Sequence, residues 1–320
     1  IIQGGGSHVA KSIITQLEKH NSRNPGKEIL YLNHSAVTPS FTNEDCTFFH
    51  FRFDANTDMK VAALVTEIAE DMDVNKVYLF NQNYAYGQSI KKQARKLLTD
   101  RVPRVEIVGD ELIPPFGKVT DFNPYVSKIK VSGADTILTG NWGPDAYRLI
   151  NALADAGVKV KIFGIYIFLP NSMPSMSKNA LFNPIIQIKE TIPYDTGKLP
   201  DWLNQINKRH LEKTKMSSDT DRMRNMMEMF ARAINQSNSL EPIKVAYALE
   251  DMENRGPYGS VRMRKEDHQA HFDMVTTVVE ENKANPMIYK DKNYGMAYST
   301  LNIIEEKDVT FPSRCDMKRP

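Results

Sequence analysis

Near the amino terminus, the residues best suited to chemistry are a run of glycine and serine, Gly5-Gly6-Ser7-His8-Val9-Ala10-Lys11-Ser12. The run nearly matches the loop that wraps the phosphates of a nucleotide, in which glycines let backbone N–H groups approach the ligand. Ala10 stands where that loop needs a glycine, and no strand ending in an exposed aspartate stands out as a magnesium partner. The N–H groups at the start of the following helix could hold a carboxylate equally well. The run therefore predicts an anion-binding loop, with a nucleotide-using enzyme as an alternative.

A second group of residues has the types that bind metals. His268 and His271 lie three positions apart beside Glu266 and Asp267, a spacing that metal sites use. No third ligand is evident, and a polar surface cluster explains the same residues. The sequence also has no serine in the G-x-S-x-G arrangement of a nucleophile elbow. We therefore expect no catalytic residue, no metal and no cofactor.

Composition and charge exclude several classes of protein. The 320 residues carry a formal net charge of +2, with basic and acidic residues mixed along the chain, and 41% are hydrophobic. A nucleic-acid binder would concentrate its lysines and arginines on one patch, and a membrane helix would need about 18 consecutive apolar residues. We expect two domains, since single cores stop growing near about 250–300 residues. The chain opens at Ile1 without a methionine, which indicates a processed or truncated sequence.

The order of apolar runs predicts an α/β fold with parallel sheets. Predicted strands cover residues 28–32, 76–80, 105–109, 135–140 and 161–164, and predicted helices cover 9–20, 124–130, 145–156, 199–213, 221–236 and 242–251. A further amphipathic helix is predicted around Ile90 and Leu97, and the tail from Asn282 onward reads as polar and loop-rich. In such sheets ligands bind at the carboxyl ends of the strands. This places the candidate loops at residues 81–87, 140–145 and 164–168.

Three ordered motifs resemble a known family. They are Asn83-Tyr84-Ala85-Tyr86-Gly87-Gln88, then Asp121-Phe122 with Pro124-Tyr125-Val126 and Lys128-Ile129-Lys130, then Ser132-Gly133-Ala134-Asp135-Thr136. Arg255-Gly256-Pro257-Tyr258-Gly259 and the residues after it resemble the same family's last crossing between lobes. The pattern is similar to that of the branched-chain amino-acid-binding group of type I periplasmic binding proteins, the group of the leucine/isoleucine/valine-binding protein.

The resemblance implies an α/β fold of two Rossmann-like lobes with parallel sheets, joined by three hinge crossovers. Lobe I would take residues 1–53, 190–257 and the tail 304–320, and lobe II residues 54–189 and 258–303. In the family the ligand lies between the lobes, and hinge closure signals that it is bound. Family members begin with two βα units before the loop that corresponds to residues 3–7. We therefore expect the sequence to lack an amino-terminal segment of about 70–80 residues.

For lobe I, the resemblance implies contacts with the α-carboxylate and α-ammonium of an amino acid. Ser7, with the N–H groups of Gly6 and Ser7, matches the loop that grips the carboxylate, and Ser7 is also expected to cap the helix that follows. Ser35 and Ala36 fit the carbonyl position of the loop that holds the ammonium. Val37 stands where the family has a threonine, and Thr38 comes one residue late.

For lobe II, the resemblance implies an aromatic lid. Tyr86 and Trp142 align with aromatic residues that close over the ligand, and a large apolar side chain in the loop around Trp142 suits a ligand contact. The family's acid that pairs with the ammonium falls at Tyr166. A phenol is neutral at pH 7 and cannot pair that charge, which opens the site to amides, urea or aromatic carboxylates.

Together these residues imply the solute-binding component of an ABC importer, located in the periplasm, which binds a branched-chain or related amino acid and catalyses nothing. Its expected partners are this small ligand and a membrane permease, with no nucleic acid, and the expected state is a monomer. The alternatives are a binding protein for an amide, urea or aromatic carboxylate, a ligand-sensing domain, and the nucleotide-using α/β enzyme.

The same resemblance implies a pairing for the two cysteines, Cys46 and Cys315. Relatives carry a similar Cys-x-Met-Lys-Arg-Pro ending, which here is residues 315–320. A bridge between Cys46 and Cys315 would pin the tail across lobe I, while two unpaired thiols are the alternative. We predict the bridge and with it a periplasmic location, because disulfides persist in oxidising compartments.

Overall fold

A computed structural model of the chain describes residues 1–192, 199–218 and 221–320. The helices in this part of the chain are α1 Ser7–Arg23, α2 Thr57–Glu70, α3 Ala85–Arg101, α4 Asn123–Ser132, α5 Pro144–Asp155, α6 Met173–Met176, α7 Asp201–Thr214, α8 Arg222–Ser237, α9 Pro242–Leu249 and α10 Glu306–Val309. The strands are β1 Ile2–Gln3, β2 Tyr31–Asn33, β3 His50–Arg52, β4 Lys76–Gln82, β5 Glu106–Ile113, β6 Thr136–Thr139, β7 Lys161–Gly164, β8 Ile185–Lys189, β9 Glu253–Arg255, β10 Ser260–Met263, β11 Ala270–His271, β12 Met274–Glu281, β13 Ile288–Tyr289, β14 Lys292–Asn293 and β15 Met296–Ile304. Of the described helices, none combines the length and apolarity that crossing a lipid bilayer requires.

The chain divides into two compact units. Unit 1 contains Ile1–Met59, Thr220–Asp273 and Glu305–Pro320, and unit 2 contains Lys60–Asp219 and Met274–Ile304.

Three segments group differently from the lobes expected from the sequence, and the shortest is residues 54–59, which belong to unit 1. Residues 258–273 belong to unit 1, because β10 pairs with both β9 and β11. Residues 190–192 and 199–218 belong to unit 2, in which the Ser217 N–H donates to the Ile288 carbonyl at 2.8 Å. Within the predicted lobe I segment 190–257, residues 193–198 and 219–220 lie outside the described residues.

In unit 1 three short parallel strands form a sheet in the order β1-β2-β3. Helix α1 packs its apolar face there, because Ala10, Ile14 and Leu17 are spaced one helical turn apart and share a buried cluster with Tyr31 and Phe41. The carboxyl ends of parallel strands meet at one edge of a sheet. The β1 loop (residues 4–6) and the β2 loop (residues 34–42) therefore start at the same edge.

In unit 2 the sheet has seven strands in the order β15-β12-β8-β7-β6-β4-β5. Strands β8, β7, β6, β4 and β5 run parallel, and β12 and β15 run antiparallel at one side. Strands β6 and β8 are buried along their whole length, as parallel strands must be when both faces are covered. The loops after β4, β5, β6 and β7 leave one edge of this sheet side by side.

The α/β fold with a parallel-dominated sheet is confirmed, and α3, α4, α5 and β7 lie where the sequence predicts them. The prediction of a loop-rich tail is wrong, because β15 continues for nine residues against β12. Ser299, Thr300 and Asn302 lie in its middle. These polar residues interrupt the alternation by which a strand is recognised.

The carboxyl-terminal segment of unit 1, residues 305–320, is named the strap. Past α10 it has no regular secondary structure and is largely exposed. The predicted disulfide is present: Cys315 is bonded to Cys46, with their Cα atoms 5.7 Å apart. The strap begins with the Glu306 N–H donating to Asp273 at 2.8 Å. It ends with the Tyr247 hydroxyl donating to the Pro320 carbonyl at 2.8 Å.

We expect the unfolded, unreduced protein to show no reactive thiol, and the reduced protein to show both of its cysteines. Reduction should also lower the free energy of unfolding, by at most about 5 kcal/mol for a loop this long. A thiol-reagent titration in denaturant, followed by thermal melts with and without reductant, measures both effects. Two reactive thiols before reduction would contradict the bridge.

Candidate functional site

The β1 loop leads into α1 by a sharp turn at Gly6, whose φ is 79°. Only glycine adopts this left-handed conformation without strain. Because of this turn, Ser7 is already the first helical residue and makes no capping hydrogen bond. The prediction that Ser7 caps the helix is therefore wrong. Ser7 is nevertheless at the amino end of α1, where the first backbone N–H groups have no partner within the helix and favour an anion.

The β2 loop is shaped by Asn33 at the end of β2. Its Oδ1 accepts hydrogen bonds from the N–H groups of Ser35, at 3.2 Å, and Ala36, at 2.8 Å. Its Nδ2 donates to the Ala36 carbonyl at 2.9 Å. One buried amide thus fixes both residues that the sequence assigned to the ammonium site.

Asn33 is held in turn by His50 on β3. Burial lowers the pKa of His50 to about 3, and the Arg52 guanidinium adds to this effect, so the ring is neutral at pH 7. A carbonyl oxygen only accepts hydrogen bonds, so Nδ1 of His50 donates to Phe41, at 3.2 Å, and Nε2 accepts from Asn33, at 3.1 Å. The neutral tautomer therefore connects the start of the β2 loop, at Asn33, to its end, at Phe41.

Arg52 fixes the far part of the β2 loop. Its side chain is fully buried and donates to the Thr38 carbonyl at 2.6 Å, to the Thr42 hydroxyl and to Gln269 Oε1 at 2.6 Å. The hydroxyl of Thr38, which the sequence assigned to the ligand, is itself buried, with no hydrogen-bond partner among the described residues.

Ser35 connects the two loops of unit 1. Its hydroxyl donates to the Gly4 carbonyl at 3.0 Å and lies 3.3 Å from His34 Nδ1. A Cβ on Gly4 would lie 2.5 Å from the Ser35 hydroxyl and 2.7 Å from the His34 ring. This close approach requires glycine at position 4.

A charged pair lies near His34 in unit 1. Arg222, the first residue of α8, is 3.6 Å from the buried carboxylate of Asp54. Burial lowers the pKa of His34, and the nearby Arg222 cation lowers it further, while Asp54 opposes both effects. His34 is therefore uncharged at pH 7.

In unit 2 the loops after four neighbouring parallel strands each contribute an aromatic ring. Together with Tyr86 in the first turn of α3, these rings form the aromatic cluster, whose members are Tyr84 after β4, Phe116 after β5, Trp142 after β6, Tyr166 after β7, and Tyr86. The Tyr84 and Tyr86 ring centroids are 5.6 Å apart, and those of Tyr86 and Tyr166 are 6.2 Å apart. The structure thus brings together all three unit 2 residues that the sequence singled out.

Trp142 is partly buried and has a fixed orientation. Its ring stacks on Phe116 with centroids 4.2 Å apart, and its Nε1 donates to the Tyr84 hydroxyl at 2.9 Å. Phe116, in contrast, is 47% exposed. The pair therefore presents an apolar aromatic surface to solvent.

Asp145, in the first turn of α5, fixes the segment that carries Phe116. It accepts hydrogen bonds from the Gly117 N–H at 2.9 Å and from the Gln82 side chain. Burial raises the pKa of Asp145, and these two hydrogen bonds counteract the rise. Its role in the structure is thus to anchor the loop after β5.

Lys60 lies over the ring of Tyr166, with Nζ 5.1 Å from the ring centroid. The lysine side chain is buried on α2. A cation over the face of a tyrosine is attracted by the ring quadrupole. The charged group on this ring is thus a lysine, although the resembling family has an acid at the position of Tyr166.

The sequence missed several of these residues. Phe116 carried the same signal as Trp142, a large apolar side chain within a loop. Asn33 and Arg52 had no signal, because a polar residue at a strand end is usually exposed. Their importance comes from burial, which only the packed chain reveals. His268 and His271, considered as metal ligands, face Glu250 and Thr310 respectively, each at 3.0 Å.

A family model described as periplasmic binding protein matches residues 1–284. The chain belongs to this family. Because the match extends over both units, the unit 1 loops and the aromatic cluster belong to one periplasmic binding protein rather than to two unrelated modules.

Relatives of this binding protein agree with the assignment. The chain is 29% identical over 340 residues to the Leu/Ile/Val-binding protein homolog 4 of Brucella abortus, covering 100% of this chain and 76% of the relative. It is similar to the crystal structure of a leucine-, isoleucine-, valine-, threonine- and alanine-binding protein from Brucella ovis in its closed conformation, with a TM-score of 0.86, 26% identity and coverage of 100% and 81%. A Rhodopseudomonas palustris solute-binding protein in complex with 4-hydroxybenzoate shares the fold, with a TM-score of 0.77, 17% identity and coverage of 95% and 77%.

Gly4→Ala should displace the β2 loop of the binding protein, since its methyl group would collide with Ser35 and His34. We expect the free energy of unfolding to fall by about 1–3 kcal/mol, the usual cost of overpacking. Gly5→Ala is the matched control, because a Cβ there meets nothing within 4 Å. Denaturant unfolding of both variants measures the difference, and equal losses would contradict the close approach at Gly4.

His50 should make the binding protein sensitive to acid. Its pKa falls from 6.5 to about 3 on folding, so below pH 6.5 the unfolded chain binds a proton that the folded chain does not. Stability is therefore lost as the pH falls from about 6.5 towards 3, by about 2 kcal/mol between pH 7 and pH 5. His50→Gln should flatten this part of the stability curve, as measured by denaturant unfolding at several pH values. If the free energy of unfolding falls equally with pH in the variant and the wild type, His50 is not the source of the acid sensitivity.

Proposed function

We propose that the chain is the solute-binding component of an ABC importer and that it binds a small amino acid of the branched-chain or a related type. The observation that most directly supports a ligand site is the arrangement of loops, since each unit directs its candidate residues to the carboxyl edge of its own parallel sheet. The names of the Brucella relatives support the choice of amino acid.

Unit 1 would bind the charged end of the ligand. The N–H groups of Gly6 and Ser7 and the Ser7 hydroxyl suit a carboxylate, because they lie at the amino end of α1, where the helix dipole is positive. The ammonium group would donate hydrogen bonds to Ser35 and to the Ala36 carbonyl. Thr38 follows them in the same loop. The bonds from Asn33 and Arg52 hold these residues in place before a ligand arrives, which lowers the cost of ordering them.

Unit 2 would bind the side chain of the ligand. Tyr86, Trp142 and Tyr166 lie in one aromatic cluster, and aromatic surfaces contribute large apolar contact area at little entropic cost. An aliphatic or aromatic side chain suits such a surface.

An aromatic carboxylate is a second candidate ligand. It is favoured by Tyr166, a phenol that is neutral at pH 7 and has a lysine over its ring. A ligand without an ammonium group would need no acid at this position, and its ring could stack within the aromatic cluster.

The same proposal includes the location and the partner. A disulfide suits an oxidising compartment, and we propose that the protein works in the periplasm and delivers its ligand to a membrane permease. It would act by binding alone, with no chemical reaction.

A thermal-shift and calorimetry panel tests the proposal. It contains L-leucine, L-isoleucine, L-valine, L-threonine, L-alanine, 4-hydroxybenzoate, and ATP with magnesium. A ligand at 100 times its Kd adds about 2.7 kcal/mol to the free energy of unfolding. Stabilisation by the amino acids supports the first candidate and stabilisation by 4-hydroxybenzoate alone the second. Stabilisation by ATP alone would overturn both.

Trp142→Ala should weaken binding of the best panel ligand by about 1–3 kcal/mol, the range for a central aromatic anchor. Trp202→Ala is the matched control, because Trp202 is on α7 and outside the aromatic cluster. Calorimetry measures both variants, and ligand-dependent tryptophan emission should be lost only in Trp142→Ala. Unchanged affinity in that variant would remove Trp142 from the site.

A further inference from the structure

The strap is connected to the β2 loop by a short series of contacts through Asn43. The Arg314 N–H donates to Asn43 Oδ1 at 3.0 Å, and Asn43 Nδ2 donates to the Pro39 carbonyl at 2.9 Å. Pro39 opens the 3₁₀ turn Pro39–Thr42 directly after Thr38. One buried amide therefore joins the strap to the segment that follows the candidate ligand residues.

The disulfide holds this connection in place. Cys315 follows Arg314, and Cys46 is three residues after Asn43, where the Cys46 N–H donates to the Asn43 carbonyl at 3.1 Å. The strap around these residues is exposed and lacks regular structure, and such terminal segments fray unless they are fixed. The bridge supplies that fixation next to Asn43.

The carboxyl-terminal end of the strap is fixed by contacts other than the disulfide. Arg319 pairs with Glu250 and donates to the Lys265 carbonyl at 2.6 Å, and its guanidinium lies 5.8 Å from the Phe48 ring centroid. Before Arg314, the Phe311 carbonyl accepts a hydrogen bond from Arg264 at 2.8 Å. The strap is thus held on both sides of Arg314, which restricts the position of the Arg314 N–H.

We propose that Asn43 and the strap are positioning elements for ligand binding, which hold the β2 loop in the conformation that receives the ligand. This inference rests on the proposed function, since the β2 loop carries Ser35, Ala36 and Thr38. Without the strap, the β2 loop keeps its bonds from Arg52 and His50, but the Asn43 amide loses the Arg314 N–H that fixes its orientation, and its bond to the Pro39 carbonyl weakens. It then samples other conformations, and the apparent affinity falls in proportion to the fraction that stays competent.

Three variants test the proposal. The double variant Cys46→Ser/Cys315→Ser releases the strap. Asn43→Asp keeps the acceptor for Arg314 but loses the donor to Pro39. Lys307→Ala is the matched control, because it removes only an exposed strap ion pair with Glu305, and such pairs contribute little. The readouts are the Kd for L-leucine and the hydrogen exchange of residues 34–42 by mass spectrometry, both well below the melting temperature.

We expect the double-cysteine variant to raise the Kd about tenfold and Asn43→Asp about fivefold, the range of one lost hydrogen bond in a binding loop. Exchange of residues 34–42 should become faster in both variants, while exchange of residues 140–143 in unit 2 stays unchanged. Combining the variants should add little to the double-cysteine effect, because both act on the same loop. Lys307→Ala should behave as wild type.

Unchanged exchange of residues 34–42 in both variants, or exchange that rises equally in unit 2, would overturn the positioning role. So would a Kd within twofold of wild type in both. If wild type fails to bind any member of the panel, the proposed function falls, and the exchange measurement alone then decides whether the strap positions the β2 loop.

Discussion

The buried guanidinium of Arg52 is the constraint on which unit 1 depends. A charge without solvent is costly unless its donors are satisfied, and Arg52 has no exposed surface. Its partners are Thr38 and Thr42 in the β2 loop, and Gln269, which is 217 positions away. The β2 loop and the segment around Gln269 must therefore both be in place when β3 is buried. The candidate ligand loop takes its shape from the core of unit 1 rather than from its own sequence.

Unit 2 positions its site by strand order instead of by a buried charge. Strands β7, β6, β4 and β5 are neighbours in the sheet, although β6 follows both β4 and β5 along the chain. The parallel arrangement directs the loop after each strand to the same edge. The aromatic cluster therefore assembles from four loops, and its rings meet across this edge: Trp142 stacks on Phe116 although β4 lies between their strands.

Much of this arrangement could be predicted from the sequence, and the exceptions have physical reasons. Apolar periodicity places α3 and α5 correctly, since local pattern alone determines which face is buried. The helix is predicted to start two residues after its true start at Ser7, because the φ of Gly6 is a backbone property that no side-chain pattern reports. Strand β15 is not predicted because its polar residues interrupt the alternating pattern of a strand. It forms a strand because it is hydrogen-bonded to β12, a pairing that its own sequence does not reveal. Asn33 could not be chosen from the sequence, since its role comes from the Ser35, Ala36 and His50 groups that it contacts.

The disulfide determines whether proteolytic fragments of the chain can separate. The disulfide joins Cys46 and Cys315, both in unit 1, and so closes a covalent ring of polypeptide. Every residue of unit 2 lies within this ring. A single proteolytic cut anywhere within that ring opens it without separating the pieces. The pieces of the nicked protein stay covalently joined, whether native or denatured, until a reductant cleaves the disulfide. Under denaturing conditions the two fragments then separate.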